Sequence, residues 1–184
     1  MGFQLRVNFL KGWPCPSIVD HVGVPAVGVT VFEGAIACQN AAGQWVLGAS
    51  SVSDVPHVLW NGASGDGDHA HVFDPTKDYG QVAWGGVQGI ALLNQIEVET
   101  AAWGTTLAAD GSALGTPAYG DQLFADTDGK LKVAMTAAGV KKASSKLVVA
   151  ICTKGAHQMS AGAMNASMIS FVPDNSKRIT AAAA

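Results

Sequence analysis

Tyr119–Ala134, YGDQLFADTDGKLKVA, reads as two short strands joined by a tight turn, and a weaker echo stands at Glu33–Gly48, EGAIACQNAAGQWVLG. In both, a glycine opens the first strand (Gly34, Gly120), and a turn-former follows six residues later (Asn40, Asp126). A second glycine comes three residues after that (Gly43, Gly129), and a long polar residue then leads the return strand (Gln44, Lys130). Asn or Asp accepts the turn through its side chain, and glycine supplies the positive φ that a short hairpin loop needs. The two stretches lie 86 positions apart, roughly half of 184 residues. They are either two similar β halves or one turn type used twice, and the poor match outside the turns favours the second.

Working outward, the composition supports β structure. The chain has 22 glycines with no triplet period, which favours turn-rich β structure over collagen. Hydrophobic residues make up 48% and charged residues only 14%, low for a soluble domain. Such a surface is covered by small polar residues or by other proteins, which points towards an oligomer or a large assembly. A net charge of −3 leaves no basic footprint for nucleic acid and no polybasic stretch for lipid. The longest apolar runs, such as Leu147–Cys152, are too short to span a bilayer, and MGFQLRVNFLKGW lacks the continuous apolar region of a signal peptide. The expectation is cytosolic synthesis of a soluble product. Cys15, Cys38 and Cys152 are odd in number and far apart, and they read as small buried hydrophobes.

Along the chain, residues 1–28 hold Pro14, Pro16 and Pro25 and are expected to be extended, with a short strand near Gln4–Phe9. Two readings stand for this segment: an edge strand packed on its own core, or an arm laid on a neighbouring subunit. Residues 29–175 form one β-rich domain, in which 50–90 is a candidate insertion or set of specialised loops; 176–184 is a tail. Strands are expected at Val29–Val31, His57–Trp60, 69–73, 87–93, 96–100, Leu147–Cys152 and Met168–Val172, with a turn at Lys154-Gly155. The β-branched Ile96, Val98 and Thr100 decide for strand where Ile90–Trp103 is otherwise ambiguous. The fold class is mainly β with little helix: an antiparallel sandwich or barrel-like domain with long loops and an extended N-terminal arm.

Few residues invite chemistry. His69 and His71 share a face if 69–73 is a strand, and with Asp68 from the preceding loop they are the candidate ligands for zinc or copper. A solvated loop is the simpler reading, because no second cluster supplies further ligands. Asp126-Thr127-Asp128-Gly129 begins like a calcium loop but lacks its later acidic ligands. Glu97 and Glu99 share a strand face and read as a solvated or interface row rather than a catalytic pair. There is no nucleophile elbow, dinucleotide fingerprint or phosphate loop, so no enzyme and no cofactor is expected. Of the five tryptophans (13, 45, 60, 84, 103), at least half are expected in the core and the remainder at contacts.

Taken in order, several segments resemble the β-rich decoration, or cement, proteins of tailed-bacteriophage capsids, and phage head structural proteins more broadly. They are Val31–Ala37 with its turn and return strand, Gln95–Trp103 running through a loop into Tyr119-Gly120-Asp121, the 120–134 hairpin, Val149–Gly155, and Ile169–Pro173. The likeness spans 29–173 in outline and rests on turns and strands. The 50–90 segment departs from it. The resemblance implies a non-enzymatic virion protein on the capsid exterior, made in the host cytoplasm, that clamps the lattice of the major capsid protein. It also implies self-association, as a homotrimer before a homodimer. Phe3, Leu5, Phe9, Trp13 and Trp60 are the expected capsid or subunit contacts. The alternative is a receptor- or carbohydrate-binding module of a fibre or tail, for which Trp60–Asp74 is the place.

Overall fold

The computed structural model describes residues 7–11, 20–32, 34–49, 54–60, 71–72, 87–92, 96–143, 146–158 and 167–174. None of them is helical. The strands are β1 (Val7–Lys11), β2 (Asp20–Gly23), β3 (Thr30–Val31), β4 (Ile36–Gln39), β5 (Trp45–Leu47), β6 (His57–Trp60) and β7 (His71–Val72). They continue as β8 (Val87–Ala91), β9 (Glu97–Thr100), β10 (Gln122–Ala125), β11 (Leu131–Met135), β12 (Val148–Gln158) and β13 (Ser167–Pro173).

Two antiparallel sheets face each other as a sandwich. One has six strands in the order β1-β9-β13-β12-β10-β11, and the other has five in the order β2-β8-β6-β4-β5. A small third ladder pairs β3 with β7. Side-chain alternation explains the layering. Ile36, Cys38, Val58 and Ile90 from the five-stranded sheet meet Val98, Leu123, Val133 and Phe171 from the six-stranded one in a common core. The alternate residues face outward but are still covered. Ala37, Trp45, Leu59 and Val87 form a second cluster, and Leu114, Phe124, Ala134 and Val148 a third.

Residues 1–28 contribute an outer strand to each sheet, β1 on β9 and β2 on β8. The expected turn at Lys154-Gly155 is corrected: β12 continues through it to Gln158, paired with β13 as His157↔Met168 and Gln158↔Ser167. Register shifts between Cys152 and His157 absorb the irregularity as bulges, so the strand bends without ending.

The two hairpins that the sequence pairs have the same turn. Asn40 N–H donates to the Gln44 carbonyl at 2.9 Å and Gly43 N–H to the Asn40 carbonyl at 2.9 Å. Asp126 N–H donates to the Lys130 carbonyl at 3.0 Å and Gly129 N–H to the Asp126 carbonyl at 2.9 Å. Gly43 and Gly129 have φ of 73° and 75°, the left-handed residue that closes a three-residue hairpin loop. Thr136-Ala137-Ala138-Gly139-Val140 repeats the pattern a third time, with Thr136 N–H to Val140 O at 2.9 Å and Gly139 N–H to Thr136 O at 2.8 Å.

Candidate functional site

The first two hairpins belong to different sheets, and the open end of the first docks on the turn of the second. Ile36 N–H donates to the Gly129 carbonyl at 2.8 Å, and Ala49 N–H to the Ala125 carbonyl at 3.3 Å. The approach is close enough that a methyl group built at Gly48 would stand 2.6 Å from the Asp126 carbonyl oxygen. Beside this seam lies a cleft of about 400 Å³, walled by Cys38–Asn40 and Val46–Ala49 on one side and by Ala125–Thr127, Lys146 and Leu147 on the other, with Asp54. None of its lining residues is aromatic, so it offers no platform for stacking a sugar ring. Asn40 already spends its side chain locally: Oδ1 accepts from Ala42 and Gln44 N–H, and Nδ2 donates to Gln44 Oε1. Burial pushes the Cys38 thiol up to about 12, and the charge of Asp54 adds to the rise. Cys38 is thus a protonated, unreactive thiol on the cleft wall.

Behind the turn of the second hairpin is a buried ion cluster. Lys132 Nζ donates to Asp126 Oδ2 and to Asp128 Oδ2, both at 2.8 Å. The Lys132 and Asp126 side chains are each 2% exposed. Asp126 Oδ2 also accepts from Ala108 N–H at 2.8 Å, and Oδ1 from Thr127 N–H at 2.9 Å. Burial alone would push the Asp126 carboxyl up. The Lys132 ammonium and the two amides outweigh it and hold the group below its ordinary value. The Asp-x-Asp-Gly stretch therefore does bind a cation, and that cation is the chain's own lysine. The ammonium bonds both of the carboxylates that a calcium ion would need.

A third polar group sits on the outer face of the six-stranded sheet. Glu99 is fully buried, and its Oε1 meets His157 Nε2 at 2.5 Å. The Gly155 carbonyl, 2.6 Å from His157 Nδ1, can only accept, so Nδ1 carries a hydrogen and ring and carboxyl share the remaining proton. Thr153 Oγ1 donates to Glu97 Oε1 at 2.8 Å. The expectation of a solvated row is thus corrected for Glu99, which is fully buried and bonded to His157, 58 residues further on. Ser170, paired with Glu99 across the ladder, is also buried, and its Oγ has no hydrogen-bond partner among the described residues. Because both nitrogens of His157 are occupied, the ring does not serve Ser170 as a base.

The other candidates are scattered. Phe3, Leu5, Trp13, Asp68 and His69 lie outside the described residues. The backbone of Phe9 is in β1, that of Trp60 in β6 and that of His71 in β7. Trp45 is fully buried, with Nε1 donating to the Val87 carbonyl at 2.9 Å and its ring edge-on to His57. Trp103 packs on the common core and donates to the Ser167 carbonyl at 3.0 Å. Cys152 is buried and free; burial pushes its thiol up to about 11, the Lys154 backbone opposing and the charge of Asp121 adding to the rise. No three His, Cys, Asp or Glu side chains among the described residues are grouped to hold a metal ion. No family model matches the chain, and no curated protein or solved structure does either.

Proposed function

We propose that this chain is a capsid decoration protein: a non-enzymatic β-sandwich that binds the outer surface of a tailed-phage head and stabilises the lattice of its major capsid protein. One observation carries the reading. Four of the segments through which the sequence resembles cement proteins are β9, the β10–β11 hairpin, β12 and β13, and these are consecutive neighbours in one sheet. The fifth, the β4–β5 hairpin, docks on that sheet through the Gly48–Asp126 and Ile36–Gly129 contacts. A segment order met in sequence is thus also a contiguous piece of architecture. The sparse charge, 14% of residues, suits a surface that is covered in an assembly. Clamping needs no chemistry, since area buried across seams between capsid subunits opposes internal pressure directly.

The test is co-sedimentation with heads of the phage that encodes the chain, stripped of bound decoration. Saturable binding at fixed stoichiometry, with heads that resist heating better when decorated, is the expected result. A protein left in the supernatant at concentrations well above the head sites rules the proposal out.

A further inference from the structure

The end of the 119–134 hairpin away from its turn displays an unusual surface. The Asp121 carboxylate, on a residue 5% exposed, accepts Ala118 N–H through Oδ2 and Ala137 N–H through Oδ1, both at 2.9 Å. One buried side chain therefore pins the loop before β10 to the third turn, 136–140. What this staple presents to solvent is apolar: Tyr119 is 77% and Val140 55% exposed, with exposed Ala137 and Ala138 in the same turn. The rim is cationic. Lys141 and Lys142 follow Val140 directly, and exposed Lys154 lies on β12. Gly120 N–H to Cys152 O at 2.8 Å and Cys152 N–H to Asp121 O at 2.9 Å hold β12 against the Tyr119 loop. From 130 to 154 the sequence has six lysines and no acidic residue. The opposite charge is concentrated elsewhere: 54–78 contains Asp54, Asp66, Asp68, Asp74 and Asp78 against a single Lys77.

We propose that the Tyr119–Val140 face is the surface through which copies of this chain associate, and that it receives the aspartate-rich 54–78 stretch of a neighbouring copy. An apolar centre with a charged rim is the anatomy of a protein contact, and the tyrosine is a suitable anchor. Made head to tail or reciprocally about a two-fold axis, each such contact pairs the lysine rim of one copy with the aspartates of another. The inference concerns association in solution and stands whether or not the protein binds a capsid.

Sedimentation equilibrium of the full chain tests it. The wild type is expected to form an oligomer at low salt and to dissociate as salt rises from about 0.05 M to about 0.5 M, where charges on an exposed rim are screened. Y119S, and separately K142E/K154E, are each expected to weaken association on the order of tenfold or more, with circular dichroism confirming the fold. Mixing K142E/K154E with D66K/D68K should restore association, since each then offers the other a complementary face. A monomer at every salt concentration overturns the proposal, including one whose lysines serve a nucleic acid instead. So does an oligomer indifferent to K142E/K154E. Failure of the mixed pair to associate overturns the assignment of 54–78 as the occupant.

Discussion

The two hairpins share a turn, yet they treat the sixth residue past its start in opposite ways. That residue is Val46 in the first hairpin and Lys132 in the second, each one place beyond a fully buried apolar side chain (Trp45, Leu131). The lysine is 1% exposed and the valine 39%. Hydrophobicity predicts the reverse, so the difference has to come from what lies over each position. Val46 opens on the cleft. Over Lys132 runs the chain from Gly104, which passes close to its alkyl stem, to Ala108, whose amide is held by Asp126, with Leu107 and Leu114 packing beside Phe124. Cover decides burial here. The lysine tolerates its cover because two carboxylates meet its ammonium.

The sharpest way to break this comparison is to remove the ammonium. Lys132→Met keeps the volume but strands Asp126 and Asp128, and should cost about 3–5 kcal/mol in chemical denaturation. Val46→Met, at the equivalent place, should stay within about 0.5 kcal/mol. Equal losses would show that the cluster has no special role. Acid probes the same point. Because Asp126 has a lowered value in the folded state, its contribution is fully present above the unfolded value of 3.8 and is lost as pH falls through the lower folded one. Stability should therefore fall less steeply below pH 3.8 in Asp126→Asn than in the wild type.

Much of this was legible in the sequence, for physical reasons that also mark where legibility stopped. A tight turn is a local event, so Asn40–Gly43 and Asp126–Gly129 could be read from side-chain chemistry alone, as could strands such as His57–Trp60 that carry a run of strand-forming residues. Thr136–Gly139 carries the same turn with a fainter signature, because Thr and Ala signal it more weakly than Asn or Asp. The Lys132 cluster is half legible: Asp126 and Asp128 resemble the start of a calcium loop that lacks its later ligands, and the cation they hold lies four and six residues on, beneath the distant Gly104. Glu99–His157 was not legible at all. The two residues are 58 apart and meet only because β12 runs on past Gly155.

The glycines of the two turns separate backbone strain from packing. Both have positive φ, so alanine at either place carries the same conformational penalty, about 1 kcal/mol. A methyl at Gly43 meets nothing within 4 Å, whereas one at Gly129 would stand 2.9 Å from Leu47 Cδ2 and 3.2 Å from Ala35 Cβ. Gly129→Ala should therefore lose about 2–3 kcal/mol in thermal unfolding, with the excess over Gly43→Ala reporting the contact between the two sheets. Similar losses for the two variants would mean that the hairpins dock loosely.

The smallest effect isolates the turn-former itself. Asn40 Oδ1 accepts two amides at 2.9 Å in an exposed turn, so Asn40→Ala should cost about 0.5–1.5 kcal/mol, the net worth of hydrogen bonds that water partly replaces. Asn40→Asp keeps the acceptor of both amides and gives up only the exposed Nδ2 hydrogen bond to Gln44 Oε1, so it should stay within about 0.5 kcal/mol. At the other turn the exchange of acid for amide is not neutral. Asp126→Asn keeps an acceptor for Ala108 but takes from Lys132 one of the two charges that make its burial tolerable. Denaturation of Asn40→Asp beside Asp126→Asn thus asks whether one turn has been put to two uses. Equal and small losses would reduce the second use to the first.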